Sequence, residues 1–279
     1  MARYSFSGHE TFTCKTLWLK KGCDFLEDAH SFYEDSAVVY LGVGKNMVSS
    51  IRFWLKAFGL TQSDKLTNLA TYIFGKDGKD CFAEDHNTLW LLHYSLVKSQ
   101  VASLYNMLFL GVQREIKTFD REQVQAYVKR KCNVPEQRNV YNENTVKKDI
   151  NVLLANYVMP KSTKTLEEYN ALLLDLGLIR SLDKKFTFNS TNPQQIALEV
   201  ILFVLLDYCE GEKTISFDKL QEIALIFCLS MPDLILAIQQ LANQYKEQMI
   251  YTDNAGIKNV QFIGESFNKW SILDKYYQR

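Results

Sequence analysis

The chain has 279 residues, 47% of them hydrophobic, and its 32 basic side chains are matched by 32 acidic ones. That much apolar surface over that length buries a core or several, which excludes a mainly disordered chain. A net charge of zero excludes a protein that simply coats nucleic acid.

The charge is uneven. Residues 1–118 carry 13 basic and 12 acidic side chains, residues 119–190 carry 12 and 9, and residues 191–279 carry 7 and 11. A basic middle in a neutral chain is compatible with DNA contact. Only four prolines and twelve glycines interrupt long intervals rich in Leu, Lys, Glu and Ala, so helices are favoured over a many-turned β fold. The most apolar stretch, from Ile196 to Cys209, is broken by Glu199 and Asp207 and falls short of the roughly 18 residues of a membrane helix. It reads as a buried core helix, and no membrane partner is expected. The first residues lack the charged-then-apolar layout of a signal peptide, so a cytoplasmic location is expected. Six cysteines without a C-x-x-C pair fit reduced, buried thiols.

In chain order, a first helix is expected from Thr11 to about Leu26 and a second from Phe32 to Leu41. After the Gly42-Val-Gly44-Lys45 turn, Met47, Val48, Ile51, Trp54, Leu55 and Phe58 recur at helical spacing, and Gly59 is placed to end that helix. Its opposite face offers Ser49, Ser50, Arg52 and Lys56. Helix, glycine turn, helix with a polar and basic face is the layout of a helix-turn-helix. A phosphate loop would need Gly where Val39 stands and Ser or Thr where Asn46 stands, so nucleotide binding is set aside. The stretch from Glu84 to Val97 starts a further helix capped by Asp85 or Asn87.

A second helix pair follows, Thr118 to Lys131 and Asn142 to Val158. In the latter Val146, Ile150, Leu153, Leu154 and Tyr157 form the apolar stripe, while Asn144, Thr145, Lys147, Lys148 and Asn151 face away. A short helix ending near Gly177 and a hairpin through Phe186 and Phe188 come next. The last third repeats this order with helices from Gln194, near Phe217–Phe227 and over Pro232–Tyr245, then a hairpin turning at Asn254-Ala-Gly256. The predicted fold is mainly α, with tandem winged-helix or helix-turn-helix units bearing short β-hairpin wings. The predicted domains are a helical one over 1–118 with a helix-turn-helix-like segment, a winged-helix-like one over 119–190, and a helical, winged-helix-like one over 191–279.

Enzyme signatures fail. His9-Glu10 begins an H-E-x-x-H motif, but Thr13 stands where the second histidine belongs. His86 and His93 lie two turns apart on one helix. No nucleophile elbow, dinucleotide fingerprint or cysteine cluster occurs, so no catalytic residue, metal or cofactor is expected. The segment SGHETF reads as a capping and anchoring element in which His9 and Glu10 tie the N-terminal arm to the fold.

The blocks SFSGHETF (Ser5–Phe12), WLKKG (Trp18–Gly22), Leu41–Leu60, EDHNTLWLLHY (Glu84–Tyr94) and NTVKKDINVLLANY (Asn144–Tyr157) together resemble the bacterial domain-of-unknown-function family numbered four thousand and seven. The resemblance implies a setting beside sulfurtransferases similar to phosphoadenosine-phosphosulfate reductase, in gene clusters for DNA phosphorothioation and phage defence. It marks His9, Glu10, Gly42, Gly44, Lys45 and Asn46 as motif positions of open role and supplies no catalytic residue.

The leading expectation is a non-enzymatic component of such a system that binds double-stranded DNA. Lys45, Asn46, Ser49, Arg52 and Lys56 form one expected contact surface. Asn144, Thr145, Lys147, Lys148 and Asn151 form another, flanked by Arg130 and Lys131. The alternatives are a protein-binding adaptor that scaffolds a sulfurtransferase or ATPase, and a metal-dependent nuclease using His9, Glu10 and Glu84-Asp85-His86.

Overall fold

Residues 3–160, 170–209, 211–254, 257–263 and 267–278 are described in a computed structural model of the chain. They divide into two compact units, residues 1–189 and 190–279.

The first unit opens with an extended N-terminal arm leading to α1 (Trp18–Glu27), followed by α2 (Ala37–Leu41) and α3 (Lys45–Ala57). The helix expected from Thr11 therefore starts seven residues later. Ser7, Gly8, Glu10 and Thr11 all take positive φ, which no helix accommodates, and the backbone N–H of Cys14 is taken by the Asn156 side chain. The expected second helix shrinks likewise to the five residues of α2. α3 ends as its sequence implies: Gly59 sits at φ +66°, Leu60 N–H donates to the Leu55 carbonyl at 2.9 Å, and Gly59 N–H donates to that of Lys56 at 3.1 Å. These two bonds are the Schellman stop that a glycine just past a helix allows.

A two-residue hairpin pair, β1 (Thr61–Gln62) and β2 (Lys65–Leu66), leads to α4 (Asn68–Phe74). Asp85 then caps α5 (His86–Ser99) by accepting the Asn87 N–H at 2.7 Å. α5 lies deep in the unit: Trp90, Leu92, His93 and Leu96 are fully buried, and His93 Nδ1 meets the Tyr157 hydroxyl at 2.7 Å. α6 (Ser103–Asn106) continues through a π-helical turn over Met107–Val112 into α7 (Gln113–Glu115).

Next come β3 (Thr118–Phe119), α8 (Arg121–Cys132) and α9 (Glu143–Tyr157). The sequence placed the start of α8 at Thr118. Instead Asp120 forms a capping box with Gln123, and the two residues before it pair with a strand. Asn142 caps α9 by accepting the Thr145 N–H. Val146, Ile150, Leu153, Leu154 and Tyr157 are all buried, as their spacing predicts. β4 (Ile179–Leu182) and β5 (Lys185–Phe188) close the unit in an antiparallel sheet of order β3-β5-β4. Of the helix expected to end near Gly177, a short 3₁₀ turn at Leu174–Leu176 is seen, and residues 161–169 lie outside the described ones.

The second unit repeats this order: α10 (Leu198–Cys209), β6 (Thr214–Ile215), α11 (Phe217–Ile226), α12 (Met231–Gln244), then β7 (Met249–Asn254) and β8 (Ile257–Phe262) in a sheet of order β6-β8-β7. α10 starts four residues after the predicted Gln194, because Pro193–Gln195 form a 3₁₀ turn instead. α13 (Lys269–Tyr277), which the sequence reading missed, packs on α10. The turn expected at Asn254-Ala-Gly256 lies largely outside the described residues.

The whole is mainly helical with small antiparallel sheets. No single helix among the described residues is long and apolar enough to cross a membrane. All six cysteines are free thiols, five of them buried, and burial pushes Cys23 up to about 12 and Cys209 up to about 11, so both are unreactive.

Gly59→Ala is expected to destabilise the first unit by roughly 1–3 kcal/mol, from the left-handed backbone and from a Cβ that would sit 2.6 Å from Ser95 Oγ. Thermal melting checks this, and an unchanged midpoint would remove the stop from the account of α3.

Candidate nucleic-acid interface

The arm and α9 are fastened together by buried polar groups. His9 Nδ1 accepts the Thr11 N–H at 3.2 Å, which puts the ring proton on Nε2, and Nε2 lies 3.1 Å from Asp149 Oδ1. The other carboxylate oxygen of Asp149 accepts the Ser7 N–H at 2.7 Å. Both side chains are over nine-tenths buried. Further along, Asn156 accepts the Cys14 N–H and donates to the Tyr105 hydroxyl at 2.7 Å. On its other side the arm lies on α3. Ser50 Oγ donates to the His9 carbonyl, Trp54 Nε1 donates to the Phe12 carbonyl at 3.2 Å, and the His9 ring stacks on Trp54.

This path explains Gly8. Its φ is +102°, and an added Cβ would lie 2.5 Å from the Phe53 ring on α3, so only glycine fits. Four residues in five from Ser7 to Thr11 have positive φ, a concentration of backbone strain that the surrounding hydrogen bonds must hold in place.

The sequence-predicted contact residues fall into two groups. On α3, Lys45, Asn46, Ser49 and Lys56 are exposed. Arg52 is not a free cation. Its Nε and one terminal nitrogen each donate to Asp64 at 2.9 Å, it also donates to the Tyr33 hydroxyl, and it stands 4.5 Å from the Tyr33 ring centre. Those hydrogen bonds hold the Asp64 carboxyl below its usual range. Gly42 is the left-handed C-cap of α2 and Gly44 the N-cap of α3, with open space where a Cβ would be. A helix precedes this turn, whereas a phosphate loop follows a strand.

On α9, Asn144, Lys147, Lys148 and Asn151 are exposed, and no acidic side chain among the described residues pairs with either lysine. Thr145 is half-buried and its hydroxyl donates to Asn142 Oδ1 at 3.1 Å, so it serves the cap. Of the two flanking cations, Arg130 is turned to Glu115 by hydrogen bonds of 2.5 and 2.7 Å, and Lys131 stands over the Tyr127 ring. Glu10 is exposed on the arm.

Three residues to which the sequence reading gave no contact role belong here. Arg121, at the start of α8, donates from Nε to Asn151 Oδ1 at 2.9 Å and packs over the Phe186 ring. Thr11 and Thr13 line a groove of about 230 Å³ with Lys148, Asn151, Val152 and Ala155. No local pattern marks them, because the fold brings the threonines to α9 from about 140 residues away and Arg121 from 30.

Of the residues of the nuclease alternative, His9 and Asp85 are engaged by other groups, while Glu10 and Glu84 are exposed. His9 is bound to Asp149. Asp85 caps α5, and its N–H, like that of Glu84, donates to Asp80. Among the described residues no three His, Cys, Asp or Glu side chains are placed to hold a metal ion.

A family model described as a protein of unknown function (DUF4007) matches residues 6–277. No curated protein matches the chain. Among solved structures, a magnesium ion-bound crystal structure of SspB is similar over 98% of this chain and 88% of that one, with a TM-score of 0.84 and 24% identity. A further SspB crystal structure gives a TM-score of 0.83 with the same identity and coverage. At that identity the likeness is one of fold.

Asp149→Ala strands the His9 and Ser7 donors in the interior. A loss of about 3 kcal/mol is expected, read as a lower denaturation midpoint together with loss of amide protection at Ser7 and Thr11. The Arg52–Asp64 pair adds a pH signature. Because Asp64 is depressed in the folded chain, its contribution is present above about pH 4 and fades as pH falls through the folded value. Asp64→Asn should therefore cost about 0.5 kcal/mol at neutral pH, as for a part-exposed pair, and progressively less as pH falls below about 4. A difference independent of pH would show that the pair is not the source.

Proposed function

The chain belongs to the DUF4007 family, and we propose that it is a DNA-contacting component of a bacterial DNA-modification or phage-defence system that reads the duplex through α9. Each unit follows the order helix, short strand, two helices and hairpin, with the short strand pairing onto the last. In the second unit α11 and α12 meet at 109° across Phe227–Ser230, within the range of a helix-turn-helix. We read both units as winged helices, with α9 and α12 in the recognition position and the β4–β5 and β7–β8 hairpins as wings.

The observation that carries the DNA reading is the outer face of α9. Lys147 and Lys148 stand exposed between Asn144 and Asn151, without acidic partners among the described residues. Cations fix a duplex through its phosphates, and short amides reach base edges. Arg130 and Arg52 are committed to Glu115 and Asp64, so they are secondary to α9 in this reading. The phosphorothioation setting is the one implied by the resemblance in sequence.

A second reading, an adaptor for a protein partner, is favoured by the exposed apolar side chains Leu17, Val39, Tyr40 and Phe82 beside α1 and α2. It is compatible with the first, since the two surfaces involve different helices.

Binding of the purified chain to a labelled duplex across a salt series tests the proposal. The double variant Lys147→Glu/Lys148→Glu is expected to bind at least about tenfold more weakly and to lower the salt slope by roughly two, one for each phosphate contact. Equal binding by variant and parent would sink the α9 reading and leave the adaptor. A duplex carrying phosphorothioate linkages, run in parallel, is expected to bind with a different affinity. Supercoiled plasmid with added magnesium is expected to keep its topology; conversion to open circles would make the chain an enzyme.

A further inference from the structure

The groove between the arm and α9 has the chemistry of an anion site. Lys148 stands three and four residues before Asn151 and Val152, and Ala155 four and three after them, so the four line one edge of the helix. Thr11, at the end of the left-handed turn, and Thr13 two residues on form the facing wall. Among the described residues no partner is found for the two threonine hydroxyls or the Lys148 ammonium. Asn151 accepts from Arg121 through Oδ1, so the N–H groups of its amide are left to donate. The Arg121 guanidinium adds a second positive charge beside the groove. The lining thus offers one ammonium, one amide and two hydroxyls over a floor of Val152 and Ala155, and it includes no carboxylate. Asp149, the nearest acid along the helix, is buried and already divided between His9 and Ser7. Glu10 is exposed next to Thr11 but is not part of the lining.

We propose that this groove holds a tetrahedral oxyanion of the phosphate class, supplied by one backbone phosphate of the bound duplex. The assignment rests on the reading of α9 as the DNA-facing helix and deepens it. The arm then acts as the second jaw of a clamp, and its strained backbone fixes the threonine wall at the spacing the anion needs. Several donors converging on one anion are what position a duplex in register, whereas the exposed lysines alone supply attraction without register.

The test uses the full chain, labelled for amide NMR, with inorganic phosphate as the probe at constant ionic strength. Saturable shifts confined to Thr11, Thr13, Lys148 and Asn151 are expected, with unlabelled duplex displacing the phosphate. The variant Thr13→Val/Asn151→Ala, which keeps both lysines, should weaken phosphate binding by about tenfold, as for the loss of one or two hydrogen bonds to a charged group. An unchanged melting midpoint shows that the variant is folded. Shifts that never saturate, or that spread over every exposed lysine, would overturn the proposal. Saturable binding that duplex fails to displace would also overturn it, assigning the groove to a free oxyanion. Failure of the α9 reading is separately visible as unaltered duplex binding by Lys147→Glu/Lys148→Glu.

Discussion

Asp149 stands on the buried side of a helix whose exposed side is basic, and its carboxylate is divided between the His9 ring and the Ser7 backbone. An ionised carboxylate in an interior is tolerated only when its lone pairs are filled, and here the N-terminal arm fills them. The arrangement is mutual. The arm takes a path of repeated left-handed residues that would not persist alone, and α9 gains a neighbour along the edge that carries Lys148 and Asn151. The same arm rests on Ser50, Phe53 and Trp54 of α3. The two basic faces expected from the sequence are thus joined through one segment that belongs to neither helix.

The two units carry one order of elements with different outward faces. α9 presents Lys147 and Lys148 outward, while α12, at the same place in its unit, contains no lysine or arginine and exposes Leu236, Gln239, Gln240 and Asn243. The outward faces of the two helices thus differ in charge in the same sense as the two parts of the chain do. Order of elements alone does not assign the role; the chemistry of the outward face does.

Much of this was legible in advance where the signal is local. The stripe of α9, the end of α3 at Gly59, the cap of α5 at Asp85 and both hairpins follow from spacing and turn chemistry, because those are decided by neighbours a few residues away. The arm was misread as helix for the converse reason. Nothing between Thr11 and Leu17 forbids a helix locally; the alternative is stabilised by Asp149, Asn156 and Trp54, which lie far along the chain. The candidate site was half legible. Lys147, Lys148 and Asn151 stood out as a polar helix face, but Thr11, Thr13 and Arg121 enter only through tertiary contact, and Arg52 and Arg130 proved to be committed to acids that no sequence spacing pairs with them.

The fastening of the arm also bears on how the chain is made. Ser7 and His9 are synthesised some 140 positions before their partner Asp149. At typical elongation rates of about 5–20 residues per second, the arm waits roughly 7 to 28 seconds before it can close. Loops of that span are also slow to form after synthesis, because their closure entropy is paid before any contact rewards it. The arm therefore cannot close until α9 has been made, so the fastening of one segment waits on a helix far along the chain.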